Sequence, residues 1–186
     1  VSSDATPTST VTQSQLNSND VGGVNFVSGD DGFSQSFKVT SRIDVISKFT
    51  FQLYRDSGAT GTLTGYIYSD DGTGKPNAVL ATFSTYAVAS LGTSAPGAEV
   101  DFTGTFTPTI GVQYHAVLIW TVQVGVNMYL RIQSGNPYAD GAIYLRNSSS
   151  WSLNWVGYDT YFKIYQNLIN LQCYSESTIK QQGSYS

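Results

Sequence analysis

Leu63-Thr-Gly-Tyr-Ile-Tyr-Ser-Asp-Asp-Gly-Thr-Gly-Lys-Pro-Asn-Ala-Val-Leu-Ala-Thr-Phe83 is the stretch from which the fold is read. Side chains alternate along a strand, so Leu63, Gly65 and Ile67 point one way and Thr64, Tyr66 and Tyr68 the other. Asp70-Asp71-Gly72-Thr73-Gly74-Lys75-Pro76 then stops the strand. Glycine supplies positive φ, aspartate bonds its own backbone, and proline fixes φ while withholding a donor. Val79 to Tyr86 resumes as a second strand, β-branched and aromatic.

The same grammar runs through most of the chain. Phe33, Gln35, Phe37 and Val39 alternate with Ser34, Ser36 and Lys38. Phe49, Phe51 and Leu53 oppose Thr50, Gln52 and Tyr54, and an irregularity is expected near Ser47. Gln113 to Val122 is apolar on both faces, which predicts a central strand covered on both sides. Val126 to Gln133, Ala142 to Arg146 and Thr160 to Gln166 each alternate as single strands. No segment carries a sustained helical period with caps. Short strands separated by turn signals predict an all-β, antiparallel β-sandwich of jelly-roll type.

The 186 residues suffice for one domain with extensions. Val1 to Asp20 is polar and Ser/Thr-rich, so residues 1–20 are expected to be an arm or linker. Residues 21–172 form the expected sandwich, with a short apolar patch at Val21 to Phe26. Residues 173–186 are expected to lead towards a further domain. Cys173 is the only cysteine, so neither an intramolecular disulfide nor a cysteine-based zinc site is available; it reads as a small buried hydrophobe.

Charged residues make up only 12%, while aromatics reach 13% with thirteen tyrosines. Polarity comes from Ser, Thr, Asn, Gln and Gly, which suits an extracellular, cell-surface or virion-surface protein. A formal net charge of −4 without a basic cluster argues against nucleic-acid binding. No run of about 18 apolar residues is present, so no membrane insertion is expected.

Catalysis needs an activated nucleophile or a positioned acid–base pair. His115 is the sole histidine and sits mid-strand, where a structural or surface histidine is expected. Gly74-Lys75 has the look of a phosphate loop, but Ser69 replaces its first glycine and Pro76 its Ser/Thr. The chain therefore reads as a non-enzyme without a cofactor. Asp30-Asp31 and Asp70-Asp71 lie in glycine-bounded loops and are candidate ligands for a structural calcium, a cation that takes several oxygens. Plain turn chemistry explains the same pairs.

The outward residues carry the sharper signal. Tyr129, Arg131, Gln133, Tyr144, Arg146, Tyr161, Lys163 and Tyr165 all oppose their strands' apolar sides. On one shared sheet they would line a face suited to sugars: rings stack on C–H-rich surfaces while guanidinium and amide groups bond hydroxyls. Trp151 and Trp155, in or beside a polar loop, are candidate anchors. Tyrosine, tryptophan and arginine also mark protein interfaces, and Tyr–Arg pairs stabilise ordinary surfaces. The expected partners are thus a glycan or host-surface polysaccharide, or neighbouring copies and adjoining domains. Asn147-Ser148-Ser149 is a glycosylation sequon, relevant only in a eukaryotic secreted protein.

Gln35-Ser36-Phe37, Gly61-Thr62-Leu63 and Ile67-Tyr68 are followed by Asp71-Gly72-Thr73-Gly74-Lys75-Pro76 and Val79-Leu80-Ala81-Thr82. Gly111-Val112-Gln113-Tyr114-His115-Ala116-Val117-Leu118 comes next. In this order the pieces resemble the choice-of-anchor group of jelly-roll modules. Tyr138-Ala139-Asp140-Gly141 and Asp159-Thr160-Tyr161-Phe162 resemble its usual ending. The likeness spans about Phe33 to Tyr165. It implies a non-catalytic sandwich, similar to carbohydrate-binding modules, from a secreted bacterial or phage surface protein. It implies no particular ligand or site residue.

Overall fold

The computed structural model describes residues 9–16, 30–40, 45–121 and 127–167. The strands are β1 (Ser9–Gln15), β2 (Asp30–Lys38), β3 (Val45–Arg55), β4 (Thr62–Asp70), β5 (Pro76–Ala87), β6 (Ala98–Phe106) and β7 (Gln113–Trp120). They continue with β8 (Met128–Leu130), β9 (Ile132–Ser134), β10 (Ile143–Asn147), β11 (Ser150–Trp155), β12 (Tyr158–Thr160) and β13 (Phe162–Asn167). One turn of 3-10 helix spans Val88–Ser90.

All strand pairs are antiparallel. One sheet has the order β1-β13-β3-β6, with β8 also on β3; the second has the order β11-β10-β2-β7-β4-β5. β9 and β12 form a small ribbon. The chain is thus an all-β antiparallel sandwich. Its core lies between the two large sheets: Phe33 of β2 meets Phe51 of β3 edge-on at 4.8 Å, and Tyr114 of β7 meets Phe106 of β6 at 5.1 Å. Phe49 stacks on Phe102 at 5.3 Å and both are fully buried. Such aromatic contacts add about 0.5–1.5 kcal/mol each beyond area burial.

The apolar side of each alternating strand faces this core. Phe33, Phe37, Phe49, Phe51, Leu53, Leu63 and Ile67 have no exposure. The irregularity expected near Ser47 is a register shift between Ile46 and Lys48. β7 lies inside its sheet, and Tyr114 to Leu118 are buried on both sides, as its two-faced apolar pattern predicts.

Three expectations change. Residues 9–15, expected within an arm or linker, are an edge strand on β13. Pairing needs only backbone N–H and C=O groups, which a polar segment supplies as well as an apolar one. Val126 to Gln133 reads as one strand, but its described part holds two: β8 joins β3, while β9 joins β12. The last strand likewise breaks at Tyr161, between β12 and β13. At both breaks the chain changes partners. Arg131 N–H donates to Gln52 O at 3.1 Å, and Tyr161 N–H donates to Arg131 O at 2.9 Å. Side-chain alternation continues through such a break, so the pattern does not report it. The patch at 21–26, Cys173 and the segment 173–186 lie outside the described residues.

A buried polar network ties the ribbon to β2. Gln35 Nε2 donates to Asp159 Oδ1 at 2.8 Å, and Gln35 Oε1 accepts from Thr160 N–H at 2.8 Å and from its hydroxyl at 3.1 Å. Asp159 Oδ2 accepts from Tyr138 N–H at 3.0 Å. Burial pushes the Asp159 carboxyl above its ordinary range, against these hydrogen bonds.

Candidate functional site

The site begins with small residues on β2. Gly32, Ser34 and Ser36 point away from the core while Phe33, Gln35 and Phe37 point in. Register places larger side chains around them in rows. Gly32 lies between Arg146 of β10 and Ile119 of β7, with Trp151 of β11 opposite Arg146. Ser34 lies between Tyr144 and Val117, with Tyr66 of β4 beyond Val117. Ser36 pairs with His115, and Tyr68 follows. A β-carbon on Gly32 would come within 2.7 Å of Leu118 O and 2.8 Å of Ile119 Cδ1, so glycine is required there.

The floor of small side chains lets long ones cross it. β10, β2 and β7 separate β11 from β4. On a flat sheet those backbones would lie about 19 Å apart. Yet the Trp151 and Tyr68 rings meet edge-to-face at 6.0 Å, and Tyr68 meets Tyr66 at 6.0 Å and 87°. The twist of the sheet and the reach of both side chains close the gap. Tyr66, Tyr68 and Trp151 remain half-buried, while Ser34, Ser36, His115 and Val117 beneath are fully buried.

Arg146 Nη1 donates to Asp31 Oδ2 at 2.7 Å, and Nη2 donates to Ser149 Oγ at 3.1 Å. Burial pushes the Tyr68 phenol above its ordinary value, opposed by the Arg146 charge.

The turn after β4 closes one end. Asp70 Oδ1 accepts from Gly72 N–H at 2.7 Å and Gly74 N–H at 3.2 Å. Asp71 Oδ1 accepts from Thr73 N–H at 2.7 Å and Lys75 N–H at 3.1 Å. The Thr73 hydroxyl, which donates to Asp71 Oδ1 at 2.8 Å and Oδ2 at 2.9 Å, and then these backbone bonds hold the Asp71 carboxyl below its usual range. Gly74 has φ of 100°, and a β-carbon there would come 3.0 Å from the Tyr144 hydroxyl.

Asp70 Oδ2 also accepts from Nε2 of His115 at 3.0 Å. That bond places the ring proton on Nε2 and leaves Nδ1 buried without a partner among the described residues. Burial holds the His115 pKa below its ordinary value, although Asp70 pulls it up. The ring meets Tyr144 edge-on at 5.9 Å.

The predicted residues therefore divide. Tyr144, Arg146 and Trp151 come together. Tyr144 lies on the outer side as expected, but it is covered, at 6% exposure. Tyr129 belongs to the other large sheet: its ring stacks on Tyr54 at 4.6 Å and its hydroxyl donates to Asp56 Oδ1 at 3.0 Å. Arg131 sits at the strand break, and Gln133 is on the ribbon opposite Asp159. The single shared face is thus corrected to three separate sheets, because alternation gives side but not strand partnership. Tyr161, Lys163 and Tyr165 lie with the five-stranded sheet. Tyr161 and Lys163 both bond Glu99, and Lys48 sits 4.0 Å over the Tyr165 ring. The side chains of Trp155 and Asp30 lie outside the described residues.

The carboxylates proposed for calcium are engaged otherwise: Asp31 with Arg146, Asp70 with His115 and its turn, Asp71 with its turn. Among the described residues, no three His, Cys, Asp or Glu side chains gather as a metal group. Tyr66 and Tyr68 are the site residues the sequence reading left out. Their alternation with Leu63, Gly65 and Ile67 signals their side; only the pairing of β4 with β7 shows their neighbours.

No protein-family model and no curated protein matches the sequence.

Proposed function

We propose that this chain is a non-catalytic, surface-exposed module of a larger extracellular or virion protein. It binds glycan through the outer face of the six-stranded sheet, in adhesion or host-surface recognition. The reading rests on the Tyr66–Tyr68–Trp151 cluster, three half-buried rings held edge-to-face beside the fixed Arg146 guanidinium. Aromatic rings grip apolar sugar faces, and a fixed polar rim orients hydroxyls. His115, the chain's only histidine, is buried against Asp70, a position suited to structure rather than proton transfer. Calorimetric titration against a panel of polysaccharides tests the proposal. Binding that weakens about tenfold or more in Trp151→Ala supports it; absence of heat with every polysaccharide overturns it.

A second reading is assembly with neighbouring copies. It is favoured by apolar side chains on the edges of the same sheet. Val79 and Leu80 of β5 are 51% and 45% exposed, and Leu153 of β11 and the adjacent Val156 are 45% and 80% exposed. Edge strands with apolar surface pair readily with other chains. Light scattering over rising concentration tests it; a species heavier than the 20.1 kDa monomer supports self-association, and a constant monomer overturns it.

A further inference from the structure

Resting on the glycan reading, we infer that the ligand is an uncharged glycan and that Asp31 is the group that excludes acidic ones. Recognition of a uronate or sialate carboxylate calls for a cation with free donors, best a guanidinium offering two parallel N–H groups. Arg146 is the cation nearest the ring cluster, through its row partner Trp151. Its charge is already answered by a carboxylate: Nη1 donates to Asp31 Oδ2 at 2.7 Å, and Nη2 donates to Ser149 Oγ at 3.1 Å. An acidic sugar would have to share that guanidinium with the Asp31 carboxylate, like charge beside like charge.

The rest of the face adds carboxylates and cations in equal number among the described residues. Asp70 and Asp71 stand at the closed end beside Lys75, and Lys38 lies on β2 two residues beyond Ser36. Among the described residues three carboxylates therefore face three cations, and burial lowers the His115 pKa, which favours its neutral form. What the face offers in excess is aromatic surface: Tyr66 and Tyr68 on one side and Trp151 on the other. That surface matches the C–H faces of neutral pyranoses, whose binding does not depend on net charge.

Affinity electrophoresis of the whole chain tests this. The neutral probes are mixed-linkage β-glucan and galactomannan; the acidic ones are polygalacturonate and hyaluronan. Retardation by a neutral probe, unchanged by about a tenfold rise in salt, is expected. Tyr68→Ala and Trp151→Ala should each weaken it about tenfold or more. Tyr165→Ala, on the opposite sheet, should leave it unchanged. Thermal unfolding of each variant separates lost binding from lost folding, and Trp151, on an edge strand, is the safer of the two to remove.

Asp31→Asn supplies the decisive arm. Releasing Arg146 should give measurable retardation by polygalacturonate that the parent chain lacks. No gain in that variant overturns the role of Asp31. Retardation of the parent by acidic probes alone overturns the inference while leaving glycan binding intact. Retardation by none of the four overturns both this inference and the reading beneath it.

Discussion

The two outer faces of the sandwich solve the same problem in opposite ways. On the five-stranded sheet, β3, β6 and β13 present paired charges. Lys48 bonds Asp101 at 2.8 Å, and Lys163 bonds Glu99 at 2.7 Å beside Tyr161. Lys48 answers a neighbour one strand away, while Lys163 and Tyr161 reach Glu99 across β3. On the six-stranded sheet, β2 offers only Gly32, Ser34 and Ser36, and the space above them fills from a distance. Tyr68 and Trp151 meet over that floor, while the Tyr144 and His115 rings meet edge-on, both buried. Charge pairing thus makes a closed, solvated surface. A floor of small residues makes a surface with depth, where aromatic rings are packed yet still partly open.

Substitutions on the two faces should differ most in stability. Tyr144→Ala removes a large side chain at 6% exposure and should cost about 3 kcal/mol in denaturant unfolding. A cost near zero would show that the Tyr144 ring is not packed. Gly32→Ala comes next, at roughly 1–3 kcal/mol, because its new methyl meets backbone at Leu118 O. Measured by the same unfolding curves, a neutral result would mean that β2 shifts to make room.

Acidification separates the faces by a different probe. Burial lowers the folded pKa of His115 below its ordinary 6.5, while the unfolded chain keeps the ordinary value. The unfolded state therefore binds more protons as pH falls past about 6.5, and stability declines from there through the lower folded value. Asp159 works in the opposite sense, since its raised folded pKa lets the folded state take up the proton first. It contributes equally to a His115→Gln variant, so it cancels in the comparison. The variant should lose the decline below pH 6.5, seen as a flatter Tm against pH. Asp71, Glu99 and Asp101, held low by their partners, lose their contribution only at lower pH still.

The smallest effect belongs to the charged face. Lys163→Ala, which removes a partly exposed pair, should cost about 0–1 kcal/mol, and less as salt rises. Unfolding at low and high salt checks it; a larger, salt-insensitive loss would place that face in the same class as the aromatic one.

Much of this architecture is legible in the residues. Phe49, Phe51 and Leu53 give their side of β3 by period alone, and β7 announces its two covered faces by Tyr114 to Leu118. The candidate site is legible only in pieces. Arg146 is readable as an outward strand residue and Trp151 only as an anchor in or beside a polar loop; in the structure they are cross-strand partners. Tyr68 could not be joined to Trp151, because three strands separate β4 from β11 and no local pattern encodes sheet order. The same limit misplaced Tyr129 and Gln133, whose alternation is sound but whose strands pair elsewhere. Asp70 and Asp71 are legible as carboxylates in a turn, but no local pattern joins Asp70 to His115, 45 residues away.

Gln35 has a bearing on how the chain finds its alignment. Moving β2 by one position would turn every one of its side chains to the opposite face. The phenylalanines would be penalised gradually, by exposed area. Asp159 and Thr160 would be penalised at once, because neither Ser34 nor Ser36 carries an amide able to donate to one and accept from the other. A single side chain thereby checks the offset of a strand against a segment more than a hundred residues away, and misaligned pairings leave a buried carboxylate oxygen without its amide donor.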